Sequence, residues 1–257
     1  MLRISTLNVN GIRAAERKGF TDWMAKSHPD IICLQELKAL ESQIPKSIRK
    51  LDYHSWYHPA EKKGYSGVGI ISRIEPLNVK IGFGLDWADA EGRILMAEYE
   101  HFRLFSIYFP SGTTGEIRQE LKYEFMNYFF NFSRQFLRDD KPTIFTGDFN
   151  IAHTEIDIHN PIANKNNSGF LPEERKWVTK LLDIGYIDAF RSQHPEEKDL
   201  YSWWSYRAAS KKRNKGWRLD YHLITENLAD TVVKANIEKK WDLSDHAPVT
   251  IDYDLDF

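Results

Sequence analysis

Carboxylates, amides and a histidine stand in this sequence close to the ends of short apolar runs. Asn8, Asn10, Glu36, Tyr108, Asp148 and Asn150 follow such runs, and the segment Ser244-Asp245-His246 precedes one. Oxygen ligands without thiolates favour Mg²⁺ or Mn²⁺ over zinc. A divalent cation among carboxylates suits cleavage of phosphate esters, because it polarises the phosphoryl oxygen and stabilises charge on the leaving oxygen. These residue types therefore predict a metal-dependent phosphoesterase, in which an aspartate could deprotonate water and a histidine could contact a phosphate oxygen.

Each of these residues also has an ordinary structural explanation. Glu36 could be a surface or capping acid, Asp148 could shape a turn after Gly147, and Asp245 could form a local turn beside an exposed His246. Asn8 and Asn10 could serve their own loop in the same way. The prediction of a phosphoesterase therefore depends on the whole set and not on any one member.

A second segment combines cations with aromatic rings. Residues 205–218 carry six cations and no acid, namely Arg207, Lys211, Lys212, Arg213, Lys215 and Arg218, and Trp204, Tyr206 and Trp217 lie within or beside the segment. Lys and Arg total 35 against 37 Asp and Glu, a formal charge of -2, so net charge alone does not indicate nucleic-acid binding. The segment could be a solvated loop, but interleaved cations and rings suit a phosphate backbone and its bases.

The elements that must position these residues alternate between strands and helices. Strands are predicted over residues 2–7, 31–34, 68–72, 94–99, 104–109, 143–146, 219–225 and 249–253. Helical spacing joins Phe20/Trp23/Met24, Ile44/Ile48/Leu51 and Trp177/Leu181/Leu182, and a helix should begin at Pro172 and end at Gly185. The longest helix is predicted within residues 115–138, with an apolar stripe of Ile117, Leu121, Phe125, Tyr128/Phe129, Phe132 and Phe136. Open α/β sheets bind ligands at the carboxyl ends of their strands, so the polar clusters should converge on one crevice.

Composition bounds the remaining possibilities. The chain has 257 residues, of which 42% are hydrophobic and 28% charged, and no linker or low-complexity tract, so we expect one domain over residues 1–257. The lone Cys33 lies in an apolar run, which excludes disulfides and cysteine zinc sites and indicates an inert buried thiol. No secretion signal or long apolar stretch is present, so we expect a cytoplasmic protein without a membrane partner. We also expect a monomer, because no assembly element is visible.

Motifs along nearly the whole chain carry a resemblance to a known family. They are Leu7-Asn8-Val9-Asn10-Gly11-Ile12-Arg13, Leu34-Gln35-Glu36-Leu37-Lys38, Tyr108-Phe109-Pro110, Gly147-Asp148-Phe149-Asn150-Ile151-Ala152-His153, Glu155-Ile156-Asp157, Gly216-Trp217-Arg218-Leu219-Asp220-Tyr221 and Ser244-Asp245-His246. With Asn160-Pro161, Asn164, Asn167, Gly169-Phe170 and Pro172-Glu173-Glu174-Arg175, the sequence resembles the exonuclease III and apurinic/apyrimidinic endonuclease branch of the DNase I-like endonuclease/exonuclease/phosphatase superfamily.

The resemblance implies a fold and a set of roles. The fold would be an α/β protein, a four-layered sandwich of two packed mixed β-sheets flanked by helices. By this analogy Glu36 holds the metal with Asn10 and Asp245 near it, Asp148 activates water with help from Asn150, and Asp220 pairs with His246, which faces the scissile phosphate with Asn8 and Tyr108. The identity of the general base stays open between Asp148, a Tyr108 phenolate and a metal-bound water.

The resemblance also implies a substrate, which is duplex DNA with an abasic site or a 3′ end. Trp203 and Trp217, with Leu219, would wall a damage pocket that accepts a sugar without a base. Asn164 and Asn167 would line the DNA-facing site, with Asn164 near the abasic pocket. Arg207, Lys211, Lys212 and Arg213 would meet DNA phosphates. Ser111 stands where the family often has Asn or Gln, which leaves open the balance between abasic-site incision and 3′-exonuclease action.

The implied activity is Mg²⁺-dependent cleavage 5′ to abasic sites that leaves a 3′-hydroxyl, with 3′–5′ exonuclease and 3′-end-cleaning activity and Mn²⁺ as a substitute metal. A small-molecule or lipid phosphatase on the same scaffold is one alternative, although it has no need of the basic segment. A non-catalytic DNA-binding module is another. Such a module is expected to have lost one of Glu36, Asp148, Asp220 and His246, and all four are present.

Overall fold

Continuous apolar runs form the central strands of the molecule, because both faces of each run are covered. The structure is a computed structural model that describes residues 1–255. The strands are β1 (Leu2–Asn8), β2 (Ile31–Gln35), β3 (His54–His58), β4 (Val68–Ser72), β5 (Asn78–Ile81), β6 (Ile94–Glu98), β7 (Arg103–Tyr108), β8 (Thr143–Asp148), β9 (Tyr186–Asp188), β10 (Asp220–Thr225), β11 (Val232–Ile237) and β12 (Val249–Tyr253). The helices are α1 (Ile12–Arg17), α2 (Phe20–Ser27), α3 (Lys46–Arg49), α4 (Asp86–Ala90), α5 (Glu116–Ser133), α6 (Pro161–Asn164), α7 (Pro172–Asp183) and α8 (Ala189–Gln193).

The strands form two sheets of six. Sheet 1 has the order β11-β12-β1-β2-β4-β3, and sheet 2 has the order β5-β6-β7-β8-β10-β9. The pairs β1–β2 and β7–β8 are parallel and the other neighbours are antiparallel, so both sheets are mixed. Strand β1 lies between β2 and the last strand, β12, with Leu2 opposite Tyr253.

Alternate residues of the inner strands point into different apolar layers. In β2, Ile31 and Cys33 join the core between the two sheets, whereas Ile32 and Leu34 pack with residues of α1 and α2. In β8, Ile144 joins the inter-sheet core, while Phe145 lies under α5 and α7. The layers are thus helices, sheet 1, sheet 2 and helices, and the predicted α/β sandwich of two helix-flanked mixed sheets is confirmed.

The longest helix lies where the apolar stripe predicts it. Helix α5 buries Phe125 and Phe129 completely against sheet 2 and continues into a 3₁₀ turn at Arg134–Arg138. The prediction that Ile117 belongs to this core is wrong, because its side chain is 75% exposed in the first turn of the helix. The helix predicted from Pro172 is confirmed as α7, and Gly185 follows it with a φ of 116°. Within residues 1–255, no helix combines the length and apolarity that crossing a bilayer requires.

Candidate active site

Strand ends from both sheets meet at one edge of the sandwich. In sheet 1, Asn8 ends β1, and Glu36 directly follows the parallel strand β2. In sheet 2, Asp148 at the end of β8 stands opposite Tyr108 of β7 and Asp220 of β10. A hydrogen bond of 2.8 Å from Nδ2 of Asn8 to Oδ2 of Asp148 joins the two sheets. The structure therefore brings together polar clusters that lie far apart in the sequence.

His246 is buried between two carboxylates. Its Nδ1 lies 2.9 Å from Oδ2 of Asp220, and its Nε2 lies 3.7 Å from Oδ2 of Asp148. Burial alone lowers the pKa of His246, but the charges of Asp220 and Asp148 outweigh this effect and raise the pKa to about 10. The ring is therefore an imidazolium at neutral pH, able to donate a hydrogen bond to an anion in the cavity.

Asp148 has the properties of a proton acceptor. Burial raises its pKa to about 7, against the opposing charge of His246. Its Oδ1 accepts the backbone N–H of Asn150 at 2.8 Å, and its Oδ2 accepts from Asn8. The side-chain amide of Asn150 donates to the carbonyl of Phe109 at 2.9 Å, which fixes the turn after β8. A carboxyl with a pKa near 7 is available in its ionised form at neutral pH and is still basic enough to accept a proton.

The predicted metal residues form a connected set of oxygen ligands. Glu36 accepts from Nδ2 of Asn8 at 2.9 Å, and Nδ2 of Asn10 donates to Oδ1 of Asp245 at 3.0 Å. The ammonium of Lys38 lies 2.7 Å from Oε2 of Glu36 and also donates to Oδ1 of Asn10. Burial opposes ionisation of Glu36, yet Lys38 and Asn8 hold the pKa of this carboxyl below its ordinary value. Ionised carboxylates and amide oxygens fit a hard divalent cation such as Mg²⁺.

A second cluster, formed by two aspartates and a histidine, is less suited to a metal ion than the first. Ligand atoms of Asp148, Asp220 and His246 lie within 4.8 Å of one another, and all three residues are buried. However, Asp220 is engaged in holding His246, whose raised pKa leaves the ring protonated and without a free lone pair. This arrangement suits the group to proton handling.

Three residues of the site have left-handed backbone conformations. The φ angles are 43° for Asn10, 52° for Glu36 and 52° for Asn150. Asparagine tolerates this region, but a glutamate there costs about 1–2 kcal/mol. Tertiary contacts of the loops maintain the conformation, since the N–H of Gly11 donates to the carbonyl of Glu36 at 2.8 Å.

A cavity of about 590 Å³ opens over these groups, and part of its wall is aromatic. Its lining includes Glu36, Tyr108, Ser111, Asp148, Asn150, Asn167, Gly169, Trp203, Trp217, Leu219, Asp245 and His246. The rings of Trp203 and Trp217 are perpendicular, with centroids 6.0 Å apart, and two backbone hydrogen bonds of 2.9 Å pair the two residues. Trp203 also donates from Nε1 to Oδ2 of Asp245 at 3.0 Å, so this ring positions a predicted metal ligand as well as the wall.

Tyr108 is held as a neutral phenol. Burial and the nearby carboxylate of Glu36 raise its pKa well above the ordinary value, even though the guanidinium of Arg93 lies 4.8 Å from its ring centre. A phenolate at this position is therefore disfavoured. The hydroxyl is suited to donating a hydrogen bond.

The two predicted asparagines occupy different places. Asn167 lines the cavity, as expected for a DNA-facing residue. Asn164 instead donates to the carbonyls of His159 at 3.1 Å and Asn160 at 2.9 Å, and its Oδ1 accepts from Asn167 at 2.8 Å. Asn164 thus holds Asn167 in position through the short helix α6.

The basic segment is only partly free to meet a ligand. Arg207, Lys212, Arg213 and Lys215 are exposed, and Arg213 donates to the carbonyl of Ala208. Lys211 is tied down, since its ammonium donates to the carbonyl of Trp241 at 2.8 Å and to Asp242 at 2.9 Å. Lys211, which is predicted to meet a DNA phosphate, is therefore already engaged by two protein groups.

Arg218, the last cation of the segment, does not belong to the basic surface. It is fully buried and pairs with Asp157 at 2.6 Å and with Asp188 at 2.8 Å. The run of cations in the sequence therefore overstates the exposed positive charge.

Two positive features are not evident from the motifs. Lys38 bridges Glu36 and Asn10, although the resemblance gives it no role of its own. Beside it, Arg13 and Arg17 of α1 line a second hollow of about 470 Å³ together with Lys38 and Gly11. The spacing of the charges could have indicated Arg13 and Arg17 in the sequence, because residues at positions i and i+4 lie on one face of a helix.

The two mixed sheets under helices and the acid-, amide- and histidine-lined cavity at their joined strand ends define a DNase I-like enzyme. The chain belongs to the endonuclease/exonuclease/phosphatase family, which matches residues 5–246. It is 39% identical over 251 residues to the exodeoxyribonuclease of Bacillus subtilis, covering 97% of this chain and 98% of that protein. The predicted resemblance to the exonuclease III and abasic endonuclease branch is confirmed.

Solved structures agree with this assignment. The 3′ phosphatase NExo from Neisseria, bound to a product DNA hairpin, superposes with a TM-score of 0.92 at 28% identity, over 99% of this chain and all (100%) of that one. An AP endonuclease from Archaeoglobus fulgidus gives a TM-score of 0.90 at 29% identity, with the same coverage of 99% and 100%.

Proposed function

We propose that this protein is a Mg²⁺-dependent DNA repair phosphodiesterase that cleaves duplex DNA 5′ to abasic sites and leaves 3′-hydroxyl ends. It also acts as a 3′–5′ exonuclease and removes blocking groups from 3′ ends, and Mn²⁺ substitutes for Mg²⁺. The observation that carries this proposal is the single cavity in which Asp148 and His246 face the wall formed by Trp203 and Trp217. The names of the related proteins, an exodeoxyribonuclease, an AP endonuclease and a 3′ phosphatase, support the same set of activities.

Asp148 accepts the proton of the attacking water. Its pKa of about 7 leaves a large fraction ionised at neutral pH, and the hydrogen bonds from Asn8 and the Asn150 N–H fix its carboxylate. Asn150 helps to orient the water from the same turn. His246, kept protonated by Asp220, and the phenol of Tyr108 donate hydrogen bonds to phosphate oxygens on which negative charge develops.

Glu36, Asp245 and Asn10 would hold the divalent cation, which when bound polarises the phosphoryl oxygen and stabilises the leaving oxygen. Lys38 already neutralises part of the charge of Glu36, and Trp203 and Asn10 fix the two carboxylate oxygens of Asp245. These contacts hold the oxygen ligands in place before a cation arrives.

The aromatic wall selects DNA sites at which the base is missing. Trp203, Trp217 and Leu219 leave room beside the reactive groups for a sugar, and a nucleotide that carries its base meets the rings. Asn167 lines the same cavity and faces the DNA, with Asn164 behind it. Arg207, Lys212 and Arg213, and the arginines of α1, contact the phosphates of the duplex.

Residues of both sheets build this one cavity, which supports the proposal that residues 1–257 act as one domain and as a monomer. We also propose that the protein works in the cytoplasm, at the nucleoid if its source is a bacterium, where it would meet a DNA substrate.

The test is cleavage of an end-labelled duplex that carries one abasic site, with Mg²⁺ and with EDTA. We expect a single product with a 3′-hydroxyl on the 5′ side of the site, loss of cleavage in EDTA, and recovery with Mg²⁺ or Mn²⁺. Glu36→Gln should need more metal for the same rate, because one anionic ligand is lost. Release of phosphate from small esters without incision of the duplex would instead identify a phosphatase, and full incision in EDTA would contradict the metal-dependent mechanism.

A further inference from the structure

A buried ion pair connects α5 and α7 below the cavity. The ammonium of Lys122 lies 2.6 Å from Oε1 of Glu174, and both side chains are 0% exposed. Removing two charges from water carries a desolvation cost that their attraction only partly offsets, so a buried pair of this kind adds little stability compared with apolar packing. Its presence therefore calls for an explanation other than stability.

Lys122 reaches the catalytic loop from below. Its Nζ donates to the backbone carbonyl of Asn150 at 2.8 Å. The N–H of the same Asn150 donates to Oδ1 of Asp148 at 2.8 Å, so the turn at Asn150 sets the position of the Asp148 carboxylate. Lys122 thus fixes the residue that orients the proposed base.

Glu174 reaches the cavity wall. Its Oε2 accepts the N–H groups of Gly169 at 2.6 Å and Leu171 at 3.0 Å. Gly169 is packed tightly, since a Cβ there would lie 3.0 Å from the ring of Trp217 and 3.1 Å from the carbonyl oxygen of Asn150. The N–H of Ala152, two residues after Asn150, donates to the carbonyl of Gly169 at 2.8 Å. The two segments that the ion pair holds are therefore joined directly, and Gly169 leaves no room for a side chain beside the Trp217 ring.

We propose that Lys122 and Glu174 are positioning residues that fix the catalytic loop at Asn150 relative to the pocket wall at Gly169. Through this link, the position of Asp148, which activates water, is fixed relative to the position of Trp217, which recognises the base-less sugar. Neither positioning side chain is exposed to the cavity, so both act through the residues they hold. This inference rests on the function proposed above.

The double variant Lys122→Met/Glu174→Gln tests the link. It removes both charges together, so no unpaired buried charge remains, and the Gln oxygen can still accept from Gly169 and Leu171. The hydrogen bond from the side chain of residue 122 to the Asn150 carbonyl is lost. Lys122→Arg is the second variant, since it keeps a cation beside Glu174 but replaces the ammonium that donates to the Asn150 carbonyl with a bulkier guanidinium of different donor geometry. Phe132→Leu, in the same helix and packed on Phe83 and Phe105, is the matched control for a general loss of stability.

Two measurements decide the outcome. Hydrogen–deuterium exchange of residues 148–153 should rise in the double variant and in Lys122→Arg but not in Phe132→Leu. Steady-state incision should show kcat lowered about 10- to 100-fold with little change in KM, and a lower ratio of abasic to undamaged cleavage, because a small misplacement of a catalytic group has effects of this size.

Unchanged exchange would overturn the link, and so would raised exchange with kcat and the ratio within two-fold of wild type. If wild type does not incise the abasic duplex, the proposed function fails, whereas the exchange measurement still supports or overturns the hold on the loop.

Discussion

Asp148 and His246 share one buried region, and their surroundings give them different tasks. Asp220 and Asp148 together keep the His246 ring protonated, with a pKa of about 10, while burial leaves Asp148 with a pKa of about 7. Pairs of groups whose surroundings separate their pKa values in this way divide the roles of acid and base. At the scale of single residues, the proposed chemistry therefore depends on three side chains from three different segments.

Asp148→Asn should lower kcat about 10²- to 10⁴-fold and leave KM almost unchanged, because a general base acts in the transition state. The amide has nearly the same shape as the carboxylate, so the fold should persist. Single-turnover incision of the abasic duplex measures the effect. Asp139→Asn, which alters an exposed carboxylate outside the cavity, is the control. Wild-type turnover in Asp148→Asn would remove Asp148 from the reaction.

Trp217→Ala should lower the ratio of abasic incision to cleavage at undamaged positions and leave the metal requirement unchanged. A ring that excludes a base acts by raising the energy of the wrong substrate, so its loss changes selectivity more than rate. Trp217 is the cleaner choice, because Trp203 also donates to Asp245. Trp56→Ala, on the outer strand β3, controls for loss of a ring, and circular dichroism checks folding, since losing a packed Trp can cost about 3–5 kcal/mol. An unaltered ratio in a folded variant would assign the selection to other residues.

At the scale of elements, the segment between β9 and β10 presents adjacent lysines in different states. Lys211 is bound to Trp241 and Asp242, whereas Lys212 is exposed. Because the two residues have the same charge and adjoin in the chain, they form a matched pair for any test of DNA contact.

Lys212→Ala should reduce the slope of log affinity against log salt by about one unit for any duplex sequence, because one phosphate contact is lost. Lys211→Ala should leave this slope unchanged. Fluorescence anisotropy of a labelled duplex between low and moderate salt measures both. If both variants reduced the salt slope equally, the contribution of a lysine to DNA binding would depend on its position in the chain and not on its exposure.

The strands that the sequence pattern does not predict are β3, β5, β9 and β11, and these are the four edges of the two sheets. An edge strand is open to solvent, as in β5, where three of four residues are exposed, so no continuous apolar run marks it. Similarly, Ile44, Ile48 and Leu51 are spaced as in a helix, but only Lys46–Arg49 is helical. The inner strands are predictable because burial on both faces leaves an apolar run in the sequence.

The same limit applies to the site. Motifs and strand ends in the sequence indicate Glu36, Asp148 and His246, because chemistry constrains the residue type. The burial of Arg218 and the tether of Lys211 depend on partners elsewhere in the chain, at Asp157 and Asp242. A run of cations carries no information on such partners, so exposure could not be predicted from it.

At the scale of the whole molecule, a histidine lies in the core between the sheets. His222 of β10 is completely buried, and its Nδ1 lies 3.1 Å from the hydroxyl of Tyr253 in β12. Burial lowers the pKa of His222 to about 3, so the ring stays neutral in the folded protein. In the unfolded chain the same ring is protonated below about pH 6.5.

The unfolded state therefore binds a proton that the folded state excludes between about pH 6.5 and 3. The contribution of His222 to the free energy of unfolding should be complete above about pH 6.5 and decline by about 1.4 kcal/mol for each unit of pH below it. Urea unfolding of wild type and His222→Gln at pH 7, 6, 5 and 4 measures the difference in slope. His101→Gln, at an exposed position, is the control. Equal pH slopes for wild type and His222→Gln would contradict the prediction.

The pairing of β1 with β12 has a consequence for biosynthesis. Strand β1 cannot complete its pairing in sheet 1 until Tyr253, the partner of Leu2, has emerged from the ribosome. At about 5–20 residues per second, this gap of some 250 residues corresponds to roughly 12–50 seconds of translation. Asp245 and His246 arrive at the end of the same interval. A nascent or prematurely terminated chain therefore lacks both the last inner strand and these two residues of the proposed site, so we expect it to be inactive.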